Sequence, residues 1–433
     1  MVLPQGTHVD LGPLGAATVT SLLGEGGQGY VFEVARTHGS TLALKWYKPT
    51  SASSEQYREM QTLVEFGSPH DRFLWPLSMA KVPGHPGFGY VMHVRDPRYL
   101  ELSYLLSNVD RDGRPLNVSF AATINLCRQV AFSFLRLHAR GLCYRDISFG
   151  NVFFEPATGD VLICDNDNVG VDDGTGRVLG TPYFMAPEVV ADTTYATLPS
   201  TATDRHSLAV LLFYALFLGH PLEGARTASG LRDGAWLQHH FGRGALFCQH
   251  PDDSGNRPPS IVQQYWDLYP AFLRELFTQA FVAGLWEPAR RVTEGQWIKA
   301  MDRLGDAMTT CPHCPVTNFW DPAEPDTLCR ACGGPLAPAF VLRVGRRTVA
   351  VSPLAVLRTD HLDSGVDAPV AVGRVRAHPH DPARWGLLNV SAEPWTITYP
   401  DGREFRIDPE LTTELVDGAR LLIGDDVVTI MKV

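Results

Sequence analysis

The sequence predicts an α+β protein in which a two-lobed domain precedes a small metal-binding segment and an all-β module. Three features of the sequence lead to this prediction. A glycine-rich turn between two strands lies near the start, apolar helical segments follow in the middle of the chain, and two CxxC pairs come before a region of short alternating strands. At 433 residues the chain is long enough for two lobes and a further small domain.

The first element is the segment from Leu23 to Val31, whose pattern predicts a strand, a glycine turn and a second strand. Three glycines stand where a backbone must approach a phosphate closely: Gly24, Gly26 and Gly29. This pattern alone is weak evidence, because ordinary hairpins are also rich in glycine. Fourteen residues after Val31, Lys45 is the single lysine of a short apolar strand, where a lone lysine is usually a solvated edge charge. Together the two elements predict a phosphate-binding hairpin and its lysine.

A helix is predicted between Ser51 and Phe66, where the alternation typical of strands is lost. Three residues follow helical spacing: Tyr57, Met60 and Leu63. Glu59 is the better candidate partner for Lys45, because Leu63, four residues later, can point into the core beneath it. Glu55 is the alternative partner.

The middle of the chain carries two carboxylates and a carboxamide at a spacing typical of phosphoryl transfer. Asp146 and Asn151 belong to the run from Tyr144 to Asn151, and Asp165 follows fourteen residues later. This chemistry needs one carboxylate to orient the attacking hydroxyl, and a carboxamide and a second carboxylate to hold magnesium. The three residues can fill these roles.

Further motifs follow in a fixed order, at Leu137 to Gly141, Gly180 to Glu188, and Asp204 to Leu208. From about Leu14 to Gly305 the chain resembles the eukaryotic-like Ser/Thr protein kinase superfamily. The resemblance implies a two-lobed protein kinase fold in a domain of residues 1–305, with an N-lobe of about 14–93 and a C-lobe of about 97–305.

The resemblance implies roles for several side chains, with ATP and Mg2+, or alternatively Mn2+, as cofactors. Lys45 and Glu59 would position ATP, Asn151 and Asp165 would hold the metal, and Asp146 would receive the proton of a protein hydroxyl. Two structural roles are also implied. Asp204 would hold the backbone of the catalytic loop, and Glu188 would pair with Arg291. A helix-capping Asp204 and a solvated Arg291 are the alternatives.

The resemblance also implies an adenine slot of apolar residues, namely Leu23, Val31, Ala43 and Phe153. Met92 would precede the hinge, whose backbone would run from His93 through Val94 to Arg95. These residues could equally be ordinary core residues, since an adenine pocket is itself a gap in core packing.

Several positions depart from the family pattern. Tyr144 replaces a histidine, Ser148 replaces a lysine, and Asn166 and Asp167 replace the phenylalanine and glycine after the metal-binding aspartate. A buried Asn166 would need hydrogen-bond partners, so this region is either wetter than usual or differently arranged. Reduced or specialised activity is one consequence. The alternative function is an ATP-binding pseudokinase scaffold that docks partners through its C-terminal modules.

The activation segment between Asp165 and Gly180 carries one candidate phosphorylation site, Thr175, whose phosphate Arg145 would bind. The alternative is that residues 172–176 form an ordinary acidic turn. Thr181 occupies the position that, in the family, contacts the catalytic loop and favours serine or threonine as the acceptor. Because the segment from Gly180 resembles a platform for protein substrates, a small-molecule phosphotransferase is disfavoured.

Two CxxC pairs separated by fourteen residues predict a structural Zn2+ site. The four ligands would be Cys311, Cys314, Cys329 and Cys332, within a zinc ribbon of residues 311–335. His313 is expected to stay outside the coordination shell. Disulfides and a redox dithiol are the alternatives. The four other cysteines are scattered in apolar contexts and imply a reducing compartment: Cys127, Cys143, Cys164 and Cys248.

Residues 336–433 show the short alternating strands of an all-β, sandwich-like domain. Six strands are predicted: Phe340 to Val344, Thr348 to Val351, Trp395 to Tyr399, Glu404 to Ile407, Leu421 to Ile423 and Val427 to Met431. The segment from Leu415 to Asp425 resembles the closing strands of forkhead-associated domains, which bind phosphothreonine. Gly373 and Arg374 could match their phosphate-contacting start, but no clear serine-x-x-histidine motif follows. A structural or docking role is the alternative.

The whole arrangement resembles bacterial kinases associated with tellurite resistance and stress systems. That resemblance implies, besides a protein substrate, two partners: a von Willebrand A-domain protein and a metal-dependent protein phosphatase. The net charge of −10 argues against a nucleic-acid partner. No signal peptide is visible at Met1 to Pro4, and the apolar run Leu208 to Leu218 is too short to span a bilayer, so we expect a cytoplasmic protein without a membrane partner.

Overall fold

The computed structural model describes residues 2–172, 180–194, 196–362, 369–378 and 380–433. They form two compact units. The first comprises Met1–Val262 and Leu276–Ile298, and the second comprises Gln263–Glu275 and Lys299–Val433. Among the helices of these described ranges, none has the length and apolar character that crossing a membrane would require.

The N-terminal part of the first unit is a six-stranded antiparallel sheet with the strand order β1-β2-β3-β4-β6-β5. Its strands are β1 (His8–Asp10), β2 (Ala16–Glu25), β3 (Gly29–Arg36), β4 (Leu42–Tyr47), β5 (Ser78–Ala80) and β6 (Gly89–His93). Strands β2 and β3 form the predicted glycine-turn hairpin, and strand β4 carries Lys45 opposite Val31. Lys45 therefore lies in the middle of the sheet beside the glycine-rich turn.

Helix α1 (Ser54–Phe66) confirms the helix predicted in this region. Ser53 caps its N-terminus by accepting a hydrogen bond from the backbone N–H of Gln56. Met60 and Leu63 are buried, as their helical spacing predicted. The buried face fixes how the helix is rotated, and thereby which polar residues point toward Lys45.

The rest of the first unit is mainly helical, with five short strands that position the loops. The strands are β7 (Leu100–Glu101), β8 (Leu142–Cys143), β9 (Val152–Phe154), β10 (Val161–Ile163) and β11 (Gly170–Val171), of which β10, β9 and β7 form one sheet and β11 pairs with β8. Its helices are α2 (Ser103–Ser107), α3 (Phe120–His138), α4 (Pro187–Ala191), α5 (Thr201–Phe217), α6 (Gly234–Leu237) and α9 (Gly284–Trp286). Three further helices have residues in both units: α7 (Ser260–Leu268), α8 (Ala271–Thr278) and α10 (Glu294–Asp306). Most residues of helices α3 and α5 are buried, and the two helices form the core of this part. The combination of sheet and helices agrees with the predicted α+β class.

The second unit begins with the cysteine-rich segment, where β12 (Met308–Thr310) pairs with β13 (Thr317–Phe319). A small cluster of buried residues surrounds it and includes two of the cysteines: Cys311, Trp320, Cys329, Leu336, Val341 and Ala350. This core is too small to be stable by apolar burial alone.

Two antiparallel sheets make up the remainder of the second unit. The six-stranded sheet, in the order β15-β14-β23-β22-β19-β20, consists of β14 (Phe340–Val344), β15 (Arg347–Ala350), β19 (Trp395–Thr398), β20 (Glu404–Ile407), β22 (Arg420–Ile423) and β23 (Asp426–Lys432). The four-stranded sheet, in the order β16-β17-β18-β21, consists of β16 (Val356–Arg358), β17 (Ala371–His378), β18 (Asp381–Asn389) and β21 (Thr412–Glu414). Both sheets contribute to one buried cluster, and a short helix α11 (Thr359–Leu362) follows β16.

All six strands predicted for this region are present, and they form the first of the two sheets. A turn at Pro400-Asp401-Gly402 joins β19 to β20, where Gly402 has a φ of 85° and its backbone N–H donates to the carbonyl of Tyr399 at 2.9 Å. The second sheet was missed. Its longest strands contain arginine, histidine, proline and glycine, so they lack the apolar alternation that identified the first sheet.

Candidate active site

Asp204 of helix α5 holds the backbone of the predicted catalytic loop in place. Its carboxylate accepts hydrogen bonds from the backbone N–H groups of Tyr144, at 2.6 Å, and Arg145, at 2.9 Å. Arg145 has a φ of 73°, a conformation that costs energy for a residue other than glycine. The buried Asp204 stabilises this backbone, which confirms the prediction that it holds the loop.

Asp146 lies at the centre of the predicted site. Thr181 donates to its Oδ1 at 2.6 Å, and Asn151 donates to its Oδ2 at 3.2 Å and to its backbone carbonyl at 2.8 Å. Asn168 makes a longer contact of 3.5 Å with the same Oδ2. Thr181 therefore contacts the catalytic loop, as predicted, and the donors fix the direction of the Asp146 carboxylate.

Lys45 forms ion pairs with Asp165 and with Asp167, and its Nζ lies 2.8 Å from Oδ2 of Asp167. Burial opposes the charge on Lys45, but the carboxylates of Asp167 and Asp165 outweigh it and raise its pKa above the ordinary value. Burial, followed by the charge of Asp167, raises the pKa of Asp165, although Lys45 opposes this shift. Lys45 thus faces two carboxylates in a largely desolvated site.

The structure does not form the predicted pair between Lys45 and Glu59. Glu59 is exposed on helix α1, whereas Gln56 of the same helix points inward. Its amide donates to the backbone carbonyl of Asp167 at 3.2 Å and contacts the hydroxyl of Tyr47 at 3.4 Å. The reason is the rotation of the helix: with Met60 buried, residue 56 rather than residue 59 faces the turn that contains Asp165 and Asp167. Glu55 is also exposed.

The turn after Asp165 is held by hydrogen bonds from its side chains to backbone carbonyls. Asn166 is fully buried, and its amide donates to the carbonyls of Leu74, at 2.9 Å, and Ile163, at 3.2 Å. Tyr144, which replaces the family histidine, donates its hydroxyl hydrogen to the carbonyl of Cys164. Both substituted residues therefore bond to backbone around Asp165 and keep its turn in place.

The glycine-rich turn closes over this site. Gln28 donates to the side chain of Asn168 at 3.2 Å, which links the turn to the neighbour of Asp146. Gly29 lies so close to strand β4 that a Cβ there would be 2.6 Å from the carbonyl oxygen of Trp46. Gly24 and Gly26 have open space instead, with no neighbouring atom closer than 4.0 Å to a Cβ.

The residues predicted to line an adenine slot lie around the hairpin and the strand that follows it. Ala43 pairs with Met92 across strands β4 and β6, and both are buried. Leu23 is exposed, and Val31 and Phe153 are half-buried, so these apolar side chains retain accessible surface. His93 and Val94 are exposed, and the guanidinium of Arg95 lies 4.2 Å from the ring centroid of Phe153. An apolar surface is therefore available beside Lys45.

Three further ion pairs support the helical part of the site. Arg291, buried, donates to Glu188 at 2.7 Å, which confirms the predicted pair. His138 contacts Asp204 through Nε2 at 3.1 Å and Glu294 through Nδ1 at 2.8 Å. Burial opposes a charge on His138, but the hydrogen bonds to these two carboxylates raise its pKa to about 9.

Thr175 lies outside the described residues. The nearby part of the activation segment is described up to residue 172, and there Arg145 donates to the backbone carbonyls of Asn168, at 3.5 Å, and Val171, at 3.2 Å. The proposed pairing of Arg145 with a phosphate stays a prediction.

The four predicted zinc ligands come together in the second unit. The sulfur atoms of Cys311, Cys314, Cys329 and Cys332 lie within 4.8 Å of one another, with 3.6 Å between two of the pairs. None of the four forms a disulfide. Four sulfurs at about 2.3 Å from a tetrahedral zinc would be separated by about 3.8 Å, so the donor set and its spacing fit Zn2+.

Backbone and side-chain donors surround these sulfurs. Cys329 accepts from the amide of Asn318 and the backbone N–H of Ala331, each at 3.4 Å. Burial disfavours the thiolate of Cys329, but the backbone N–H groups of Cys332 and Ala331 lower its pKa to about 6. His313 contributes only a backbone N–H, at 3.3 Å from the sulfur of Cys311. The cluster thus has the features of a thiolate metal site.

Sequence reasoning missed four polar residues of the active site, namely Gln28, Tyr47, Gln56 and Asn168. Asp167 is the feature of the sequence that could have revealed them, because a carboxylate in a buried turn requires polar partners. Tyr47 follows Lys45 by two residues on the same strand and faces the same side of the sheet, so it was the nearest donor to consider.

Comparisons with known proteins agree with this geometry. The protein kinase domain family matches residues 17–238, just over half of the chain. Serine/threonine-protein kinase PknA of Mycobacterium tuberculosis (strain ATCC 25618 / H37Rv) is 26% identical over 220 residues, which cover 47% of each chain. The probable serine/threonine-protein kinase zyg-1 of Caenorhabditis briggsae is 24% identical over 226 residues, 48% of this chain and 28% of its own. Ribosomal protein S6 kinase beta of Caenorhabditis elegans is 27% identical over 213 residues, which cover 46% of this chain and 36% of its own. The chain thus spans less than half the length of these curated relatives.

Proposed function

Because the chain belongs to the protein kinase domain family, we propose that it transfers the γ-phosphate of ATP to serine or threonine hydroxyls of proteins, including its own. One observation carries this proposal: the Asp146 carboxylate is oriented by Thr181 and Asn151 beside a lysine paired with Asp165. These are the parts that phosphoryl transfer to a hydroxyl requires.

Asp146 would accept the hydrogen of the acceptor hydroxyl and, at closer approach, its proton. Thr181 and Asn151 leave part of the half-buried carboxylate accessible to that hydroxyl. Lys45 would bind the α- and β-phosphates, with the backbone of Gly24 and Gly26 above them.

Asn151 and Asp165 would hold Mg2+ or Mn2+. Both supply oxygen ligands of the kind these ions prefer, and the Asp165 side chain is 44% exposed and therefore open to an ion. When bound, the metal neutralises charge on the phosphates. We assign Leu23, Val31, Ala43, Met92 and Phe153 to adenine, with the backbone from His93 to Val94 as the hinge.

The cysteine cluster supports a structural Zn2+ site in a zinc ribbon. A segment with so small a core gains its stability from a metal that joins its two knuckles. The two following sheets share one core and support a sandwich-like domain, for which we propose docking of a protein partner. Its resemblance to forkhead-associated domains makes phosphopeptide binding a further hypothesis. By the same resemblance, we propose a bacterial stress-signalling system with a von Willebrand A-domain protein and a metal-dependent phosphatase as partners.

A pseudokinase scaffold is the second candidate function. It is favoured by the observation that Lys45 pairs with both Asp165 and Asp167 while Glu59 is exposed. A scaffold would bind ATP and gain thermal stability without transferring phosphate.

The deciding experiment incubates the full chain with labelled Mg-ATP and compares wild type with Asp146→Asn. Mass spectrometry would locate the label, and Thr175 is the expected position. Label in wild type only supports the kinase. ATP-dependent thermal stabilisation without label, also in the presence of candidate partner proteins, supports the scaffold, and no binding of ATP at all contradicts both.

A further inference from the structure

Lys45 carries one positive charge but is paired with two carboxylates. The ammonium contacts Asp165 and Asp167, two carboxylates separated in sequence by Asn166 alone. If Asp165 holds a metal ion, as the proposed function requires, it can no longer be the main partner of Lys45. A second carboxylate must then keep this lysine in place.

The two aspartates differ sharply in accessibility. The side chain of Asp165 is 44% exposed, whereas that of Asp167 is 0% exposed. A ligand entering from solvent can reach Asp165 but not Asp167. Asp167 is therefore unsuited to bind a metal ion directly and suited to hold Lys45 from behind.

Asp167 is itself held on two sides. Tyr47 donates to its Oδ2 at 2.8 Å, the same oxygen that contacts Lys45. Gln56 of helix α1 donates to its backbone carbonyl at 3.2 Å. Asp167 thus joins the strand that carries Lys45, the metal-binding turn and helix α1.

We propose that Asp167 is the positioning residue for Lys45, taking the role that sequence reasoning gave to Glu59. Helix α1 acts on the lysine through Gln56 and the turn at Asp167, not through a direct ion pair. When Asp165 turns to a metal ion, Asp167 keeps the ammonium directed at the phosphates. The inference rests on the proposed function, because it assumes that Lys45 binds phosphates.

Binding measurements on the full chain can test this without relying on catalysis. The quantity of interest is the dissociation constant of adenosine divided by that of Mg-ATP, both measured by calorimetry. Only Mg-ATP carries phosphates for Lys45, so weaker phosphate binding lowers this ratio. In Asp167→Asn we expect this ratio to fall about tenfold or more, because a charged hydrogen bond is lost. Adenosine affinity should not change, because adenosine carries no phosphate for Lys45 to bind.

A double-mutant cycle identifies the path of the effect. In a Lys45→Met background, Asp167→Asn should lower the ratio no further, since the lysine it positions is gone. Glu59→Gln is the matched control and should leave the ratio unchanged. If Asp167→Asn does not fold, Tyr47→Phe removes one donor to Asp167 without changing charge, and a smaller fall in the ratio is expected.

Three results would overturn the inference. The ratio could be unchanged in the folded Asp167 and Tyr47 variants, or Asp167→Asn could weaken adenosine binding as much as Mg-ATP binding. The third result is a ratio that falls as far in Glu59→Gln as in Lys45→Met. Failure of the proposed function looks different. If wild type binds Mg-ATP but transfers no phosphate, the kinase proposal fails while the binding ratios still decide the role of Asp167. If wild type binds no Mg-ATP, both proposals fall together.

Discussion

Thr181 donates its hydroxyl hydrogen to Oδ1 of Asp146 at 2.6 Å. This contact joins the segment that begins at Gly180 to the catalytic loop, two parts of the chain that are 35 residues apart. Because Oδ2 of the same carboxylate accepts from Asn151, both oxygens have a defined direction. Asp146, the base in the proposed function, is thus oriented before any acceptor hydroxyl arrives.

We expect Thr181→Ala to lower the rate of phosphate transfer by about tenfold to a hundredfold, the effect of losing one hydrogen bond to a charged group. Thr181→Ser keeps the hydroxyl and should stay close to wild type. Initial rates of label incorporation at saturating Mg-ATP measure the effect, with ATP affinity as the control that should not change. Equal rates in the alanine and serine variants would show that the contact does not orient Asp146.

Asp204→Ala should destabilise the first unit and slow phosphate transfer. The substitution leaves the backbone N–H groups of Tyr144 and Arg145 without an acceptor and relaxes the strained φ at Arg145. Each buried unsatisfied group costs about 1–3 kcal/mol in free energy of unfolding. Urea unfolding measures the loss, and Asp112→Ala, at an exposed loop position, is the control that should unfold like wild type.

The contacts of His138 make the stability of the first unit dependent on pH. Its side chain is 5% exposed and lies between Asp204 and Glu294, which raise its pKa from an ordinary 6.5 to about 9. A raised pKa means that the folded state binds the proton more tightly. The stabilisation is therefore complete below pH 6.5 and is lost as the pH rises through 9.

We expect the stability difference between wild type and His138→Gln to be larger at pH 6 than at pH 9.5, by about 2–4 kcal/mol. Urea unfolding at both pH values gives this difference. His85→Gln, in an exposed loop, is the control and should show no such change. A His138 difference that is the same at both pH values would mean that the imidazole is not charged in the folded state.

Glu294 makes the stability of the first unit depend on pH in a second, acidic range. Burial opposes its charge, but hydrogen bonds from His138 and Arg205 lower its pKa to about 2. Its contribution is therefore present above pH 4.5 and is lost as the pH falls toward 2.

The sequence predicted the parts of the site that are carried by local motifs. Asp146 and Asn151 belong to one short segment, in which Asn151 donates to Asp146. Asp165 follows Cys164, whose backbone N–H donates to the carbonyl of Asn151. Glu188 and Arg291 are 103 residues apart, and their pairing could be predicted only from the family resemblance.

The pairing of Lys45 could not be predicted in the same way, because it depends on how helix α1 is rotated against the sheet. Gln56 and Glu59 are three residues apart and lie on similar faces, and the apolar residues Met60 and Leu63 restrict the rotation without fixing it. The structure turns Gln56 inward, and Asp167 supplies the carboxylate instead.

The cysteine cluster yields a prediction about metal content. The full chain, purified under reducing conditions, should carry about one Zn2+, measured by atomic absorption. Cys311→Ser together with Cys329→Ser should abolish binding, because one ligand is lost from each knuckle. Cys248→Ser is the matched control, since this buried cysteine lies in the first unit and should leave the zinc content unchanged.

Removing the metal should loosen the cysteine-rich segment and spare the helices around the catalytic loop. Cys311 and Cys329 belong to the small core with Trp320 and Leu336, so loss of the ion removes the link between the two knuckles and should expose this core. After chelation we expect faster hydrogen exchange in residues 311–336 and unchanged protection in helices α3 and α5. Wild type without zinc, with the four thiols oxidised in pairs, would instead establish the disulfide alternative. Zinc retained by the double variant would mean that the ion is bound elsewhere in the chain.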